Sequence, residues 1–308
     1  MFGKIEEIKA VNDALKRVSY NTWLVLDLDN TVMESSLELG GDQWFTSLLH
    51  HANLSEPDQE LAFLSVISIY HAVQAHIRAK AVEPEIVTII NALQHIGIPV
   101  LGLTARDLSI SHSTIRQLAD IGIDFSNNPI EQVDGSFYEQ GIIFCSGGDK
   151  GAAFKRFLER CRNQPQHVVM LDDREKHLQH VKVAVEALGI SFDGLRYGFL
   201  DAKVLQFDRQ TASHQLAHLK ERLPPTVQAS IDRLHLIPDD LPAKATASQF
   251  VHGFFDEDHH ALDTPFLPQR DYKRKKHTFF RSRSVSSVLY SQAEVDLSQE
   301  DSYSTTRT

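Results

Sequence analysis

Cysteine is scarce in this chain of 308 residues, with Cys145 and Cys161 the two present. That scarcity excludes a disulfide framework and fits folding in a reducing compartment. Neither is followed at the sixth position by arginine, since Gly151 and His167 stand there. A thiol-based Cys-x5-Arg phosphate loop is therefore absent. Also missing is any run of about 18 apolar residues, the length a membrane-spanning helix needs. The N-terminus does not resemble a signal peptide, so a soluble protein is expected. A formal net charge of −10 argues against nucleic acid as the partner, because that role needs lysine and arginine clustered across the domain. With 42% hydrophobic and 23% charged residues, fibrous and wholly disordered classes are excluded too. The chemistry must be sought in particular segments.

Between Met1 and Val18, charged residues alternate with Ile5, Ile8, Val11, Leu15 and Val18, and this spacing predicts an amphipathic helix packed on the core. Five short apolar runs alternate with helical patterns and predict an α/β fold with a Rossmann-like, mostly parallel sheet. They are Trp23–Leu26, Pro99–Leu103, Gly141–Phe144, His167–Leu171 and Leu195–Phe199. The stretch from Asp42 to Ala81 is longer than a crossover between the first two runs requires. Its surplus predicts a small helical insertion placed to cover the carboxyl ends of the strands, where such sheets bind ligands. Near residue 209 the character changes, and prolines punctuate short helical pieces. One domain is expected over residues 1–209 and a separate helical and irregular region over 210–308.

The strongest signal is Leu24-Val25-Leu26-Asp27-Leu28-Asp29-Asn30-Thr31, an apolar strand that ends in two carboxylates and a hydroxyl. Carboxylates at such a place are costly to bury unless they bind metal or act in catalysis. A turn cap or a surface acidic pair is the plainer alternative. Three further elements follow in order: a strand ending in Thr104-Ala105-Arg106, a glycine-rich turn presenting Lys150, and a strand ending in Asp172-Asp173. Taken singly, Thr104 reads as a helix N-cap and Lys150 as a solvated lysine. The ordered set favours chemistry.

In these four elements the sequence resembles the haloacid dehalogenase (HAD) hydrolases. Their motifs are an Asp-x-Asp-x-Thr strand end, a strand-terminal Thr or Ser, a Lys and an acidic pair, matched here across roughly residues 20 to 200. The text around them is similar to a HAD subfamily of intracellular bacterial pathogens that includes Legionella-type secreted effectors. The resemblance implies a Mg²⁺-dependent phosphatase with a phosphorylated substrate. An open site under a small cap suits a phosphoprotein, phosphotyrosine in particular. It implies that Asp27 attacks phosphorus to form an aspartyl phosphate and that Asp29 protonates the leaving alcohol, then deprotonates the hydrolytic water. Thr104 and Lys150 would complete the catalytic set, and Thr31 and Ala105 would join them around the phosphate. Asp27, the backbone carbonyl of Asp29, and Asp172 would hold Mg²⁺, with Asp173 behind them. The alternatives are a HAD scaffold kept only for binding, and a phosphotransferase or mutase.

Smaller signals lie elsewhere. Gly40–Phe45 could form a flap over the site, although Trp44 reads first as core packing. Cys145 sits near the lysine turn, and inert burial is the better reading than redox sensing. Asp256-Glu257-Asp258-His259-His260 reads as a solvated acidic loop, since its spacing fits no common metal pattern. The segment from Arg270 to Arg283 carries seven Lys or Arg against one Asp. Its Lys273, Arg274, Lys275, Lys276, Phe279 and Phe280 suggest contact with an anionic, phosphoinositide-bearing membrane, with a solvated basic linker or a nucleic-acid contact as the alternative. If the effector resemblance holds, the protein is secreted into a host cell and sits peripherally on such a membrane. A polar, acidic tail follows from Ser284.

Overall fold

The computed structural model describes residues 3–130 and 137–238. The chain opens with β1 (Lys4–Ile8), β2 (Thr22–Leu26) and β3 (Met33–Ser35), then enters α1 (Asp42–Ser55) and α2 (Gln59–Gln74). It returns through β4 (Ala79–Ala81), α3 (Pro84–His95), β5 (Val100–Thr104) and α4 (Ser111–Asp120). After these come β6 (Tyr138–Glu139), β7 (Ile142–Phe144), α5 (Lys150–Leu158), β8 (His167–Asp172), α6 (Glu175–Glu186) and β9 (Ser191–Tyr197). The last described elements are α7 (Asp201–Val204), α8 (Arg209–Leu219) and α9 (Pro225–Arg233).

Seven strands form one Rossmann-like sheet in the order β1-β9-β8-β2-β5-β7-β6, and only the short β6 runs antiparallel to its neighbour. Every residue of β2 and β5 is buried, as expected of parallel strands covered by helices on both faces. Alternation divides their side chains between two cores. Leu24, Leu26 and Val100 face a layer with Ile86, Ile90 and Leu118, whereas Val25, Leu101 and Leu103 face Phe154, Phe157, Leu178 and Val181.

The segment expected to be an N-terminal helix is instead β1, parallel to β9, followed by a short 3-10 helix at Val11–Lys16. Strand parity explains the difference. Ile5 and Ile8 sit three apart, which suits one face of a helix but also places them on opposite faces of a strand. Ile5 packs into one core and Ile8 into the other. Main-chain pairing then covers the edge that β9 would otherwise expose.

The expected insertion is present. It springs from the antiparallel ribbon of β3 and β4, and its helices α1 and α2 form a second hydrophobic body. Trp44 is buried there and stacks on Tyr70 with ring centroids 6.2 Å apart. This body is completed from the far end of the described chain: Ala212, Leu216 and Leu219 of α8 and Val227 and Ile231 of α9 join Leu48, Leu49, Val66 and Ile69 in one cluster. The change of character near residue 209 thus marks where the chain leaves the sheet body and joins the inserted helices. Among the described residues, no helix is long and apolar enough to cross a membrane. The acidic segment at 256–260, the basic segment at 270–283 with Lys273, Arg274, Lys275, Lys276, Phe279 and Phe280, and the polar tail lie outside the described residues.

Candidate active site

The sheet order sets β2 between β8 and β5, so residues leaving the carboxyl ends of these three strands meet. Asp27 follows β2, and its amide donates to the Leu171 carbonyl at 2.9 Å, which extends the pairing one residue past the strand. The chain then turns tightly, with the Val32 and Met33 amides both donating to the Leu28 carbonyl at 2.9 Å. Asn30 takes the left-handed conformation at φ 59°, which asparagine tolerates better than most residues. Its side-chain amide reaches Asp173 Oδ2 at 3.3 Å.

Lys150 is the centre of the cluster. It is buried, with Nζ 2.6 Å from Asp27 Oδ1 and 2.8 Å from Asp172 Oδ2. Local sequence puts it there. Asp149 caps α5 by accepting from the Ala152 amide at 2.7 Å, and Gly151 lets that helix press against α6, since a Cβ at 151 would lie 2.2 Å from the His180 carbonyl oxygen. Burial opposes the lysine's charge, but Asp172 and Asp27 outweigh it and raise its pKa.

The two carboxylates on this lysine behave differently. Burial would raise Asp172, yet Lys150 and His177 hold its carboxyl far below the usual range. Its oxygens are engaged on every side: Oδ2 by Lys150, Oδ1 by the Arg174 amide at 2.9 Å, and both by His177 Nδ1 at 3.1 and 3.2 Å. Asp27 has less: Lys150 and the Leu28 amide, at 2.8 Å, both meet its Oδ1. Burial and the neighbouring charge of Asp172 lift its carboxyl well above the ordinary value despite Lys150. Asp173 is lifted as well, to about 7, by loss of hydration and by Asp172 and Asp42, with Arg174 opposing.

Asp29 stands apart from the lysine. A two-pronged ion pair joins it to Arg106, with Nε to Oδ2 at 2.9 Å and Nη2 to Oδ1 at 2.8 Å. Asp29 and Arg106 both lie in the strand-end motifs, but the resemblance gives a role to Asp29 alone. Burial works against the guanidinium's charge and Asp29 more than offsets it, raising the pKa of Arg106. Thr104 is fully buried at the end of β5, and its hydroxyl accepts from the Arg106 amide at 3.1 Å. Ala105 is exposed beside it, and its carbonyl accepts from the Gly147 amide at 2.7 Å. Thr31 is fully buried with no hydrogen-bond partner for its hydroxyl. Cys145 is buried and its thiol is pushed up to about 12, chiefly by burial, so it is held as an unreactive thiol.

His177 was not singled out in the sequence. Yet Asp27, Asp172 and His177 bring potential ligand atoms within 4.8 Å of one another. The available signal was the spacing: His177 follows Asp172 by five residues, in the first turn of the helix that the acidic strand end leads into. Burial lowers the His177 pKa despite Asp172, which favours the neutral ring.

A family described as "Protein of unknown function (DUF2608)" matches residues 4–225, well over half of the chain. The chain belongs to this family. The matched span runs from β1 to the start of α9 and so contains the strand-end cluster, the inserted helices and α8. Three Chlamydia proteins are similar to the chain. One from Chlamydia pneumoniae, named "Putative outer membrane protein//CPj1034/CpB1074", is 22% identical over 198 residues, 62% of this chain and 76% of that protein. Two named "Putative outer membrane protein" are 23% identical in Chlamydia muridarum, over 63% of this chain and 76% of that protein, and 21% identical in Chlamydia trachomatis serovar D, over 62% and 75%. No solved structure matches the chain.

Proposed function

We propose that the chain is a HAD-type phosphomonoester phosphatase that works through a phosphorylated Asp27 with the help of Mg²⁺. The observation that carries this reading is the single buried lysine that bridges Asp27 and Asp172 at the ends of adjacent parallel strands. An uncharged turn or a surface acidic pair has no need of such a bridge. Phosphoryl transfer does, because charge on the nucleophile and on the transferred group must be offset in place.

The donor set suits a divalent cation. Asp27, Asp29, Asp42, Asp172 and Asp173 face Arg106, Lys150 and Arg174, five carboxylates against three cations. Asp29 is matched by Arg106, Asp42 by Arg174, and Asp172 by Lys150 and His177. Lys150 is shared between Asp172 and Asp27, and burial together with the neighbouring carboxylates raises Asp27 and Asp173, so the cluster carries more negative than positive charge. Asp27, the backbone carbonyl of Asp29, and Asp172 would hold Mg²⁺, a hard ion suited to oxygen ligands, with Asp173 behind them; Asp27, Asp172 and His177 bring potential ligand atoms within 4.8 Å of one another. Bound there, the ion would neutralise phosphoryl oxygens.

The protein's own groups then carry the reaction. A carboxylate oxygen of Asp27 attacks phosphorus as the bond to the leaving oxygen breaks, and that oxygen takes a proton from Asp29. In the second step Asp29 takes a proton from water, which attacks the aspartyl phosphate and releases inorganic phosphate and free Asp27. Lys150 stays on Asp27 throughout and offsets charge as it moves.

The test is a screen of small phosphomonoesters and phosphopeptides, phosphotyrosine peptides among them, with purified protein and added Mg²⁺. Hydrolysis that EDTA removes is expected, and Asp27→Asn should lower it on the order of 10⁴-fold or more while leaving thermal stability intact. Full activity in that variant would end the Asp27 mechanism. Transfer of phosphate to an alcohol instead of water would favour a phosphotransferase.

A further inference from the structure

Arg106 is bound to more than its carboxylate. While Nε and Nη2 hold Asp29, Nη1 donates to Thr114 Oγ1 at 3.1 Å and Gln117 Oε1 at 2.7 Å. Four of the five guanidinium N–H groups are thereby engaged, and the side chain is buried. A two-pronged clamp on a substrate phosphate is excluded while these bonds stand, since it would need two free donors. The anchoring continues into the helical body. Gln117 Nε2 donates to Gln74 Oε1 at 3.0 Å and to the Ile77 carbonyl at 3.1 Å, and Gln74 Nε2 donates to the Gly40 carbonyl at 2.7 Å. The fork on Asp29 is therefore held through α4 to the inserted helix α2 and to the loop that leads into the insertion.

We infer that Arg106 is a positioning residue for proton transfer by Asp29, set by Gln117 of α4 and, behind it, by Gln74 of the inserted helix α2. The inference rests on the phosphatase reading above and assigns a function to a residue which that reading leaves unused. In the fork both Asp29 oxygens accept hydrogen bonds. To give a proton to a leaving oxygen, one of them must turn out of the fork. The other stays on the guanidinium, which fixes the pivot and the arc through which the acid swings. Thr104 ties the same residue to the phosphate end of the site by accepting from the Arg106 amide.

Proton donation matters most for poor leaving groups, and this gives a readout that general loss of structure would not move. Wild type, Arg106→Met, Arg106→Lys, Gln117→Leu and Asp29→Asn would be compared in single turnover with Mg²⁺, so that leaving-group release alone is read. The substrates run from dinitrophenyl phosphate through phenyl phosphate to an alkyl phosphate. Arg106→Met is expected to lose about 100-fold on the alkyl ester, the scale of general acid catalysis, and only a few-fold on the dinitrophenyl ester. Asp29→Asn should give the same tilt, the double variant should be no worse than the poorer single one, and Arg106→Lys and Gln117→Leu should fall between. Equal loss on all esters, in Arg106→Met and in the two milder variants, overturns the inference and leaves the phosphatase reading standing. If Arg106→Met melts below assay temperature, the lysine and leucine variants decide by the same criterion. A wild type that hydrolyses no ester in the series with Mg²⁺ overturns the phosphatase reading and this inference together.

Discussion

In the sheet body, β2 and β5 are buried along their whole length, and the residues that leave the strand ends are locked around one lysine. The helical body is built differently: α1 and α2 come from an insertion, α8 and α9 from more than a hundred residues later, and aliphatic side chains join them. Between the two run polar ties, Gln117 to Gln74 and Arg174 to Asp42. Reacting groups belong where the backbone is over-determined, because a small misplacement is costly to a near-attack geometry. An insertion held by polar ties can shape the entrance without disturbing the strand ends. Damage to the sheet body should therefore strike the chemical step, and damage to the helical body should strike stability.

The sharpest break in this comparison is expected from Lys150→Met. It removes the cation from two buried carboxylates, which should destabilise the fold by about 3–5 kcal/mol and slow turnover by about 10²–10³-fold. Denaturant unfolding and kcat on a single ester measure the two effects. A variant that retains wild-type kcat would show that Lys150 holds the strands together and takes no part in the reaction.

Next in size is Gly151→Ala, which keeps every reacting group. Its added Cβ cannot fit 2.2 Å from the His180 carbonyl oxygen, so α5 must move off α6 and carry Lys150 with it. Overpacking of this kind costs about 1–3 kcal/mol, and kcat should fall at least tenfold, the equivalent of about 1.4 kcal/mol in the barrier. Unchanged turnover would mean that the lysine follows its carboxylates independently of the helix.

How much of this was legible in the sequence depends on the kind of contact. The five strands could be read because buried parallel strands are continuous apolar runs, and Asp27 and Asp172 because each interrupts such a run at its end. The β9 run begins four residues earlier than its apolar text suggests, since Ser191-Phe192-Asp193-Gly194 pairs with β8 through main-chain bonds. Residues 4–8 were misread because a three-residue spacing serves both a helix face and two faces of a strand. The fork of Arg106 on Asp29 spans 77 positions, and no local pattern reports a pairing that only the sheet order creates. The support of Asp172 was hidden for the same reason: which member of an acidic pair Lys150 and His177 engage depends on where the two side chains arrive.

From the other side of the comparison, Leu216→Ala opens a cavity in the helical body. Leu216 is buried among residues of α1, α2 and α9, and such a truncation costs about 2–5 kcal/mol. Turnover of a small aryl phosphate, measured well below the melting temperature, should stay within a few-fold of wild type. A large loss of kcat on so small a substrate would show that the helical body sets the strand-end geometry, and the division between the two bodies would fail.

The smallest effect is expected at the tie itself. Asp42 opens α1, and its carboxylate pairs with Arg174 at the residue that precedes α6. Both side chains are about a quarter exposed, so water screens the pair and its loss should cost no more than about 1 kcal/mol. Asp42→Asn also removes a negative charge that acts on Asp173 and leaves Arg174 to offset the remaining carboxylates. Both effects weaken Mg²⁺ binding, since the site loses a negative charge and keeps an unneutralised positive one, while the amide oxygen still lets Arg174 hydrogen-bond at its old position. Isothermal titration with Mg²⁺ should show weaker binding by a few-fold, with kcat at saturating Mg²⁺ close to wild type. A kcat loss as large as that of Gly151→Ala would mean that the Arg174 tie positions the reacting groups, and the comparison would have to be redrawn with α1 on the catalytic side.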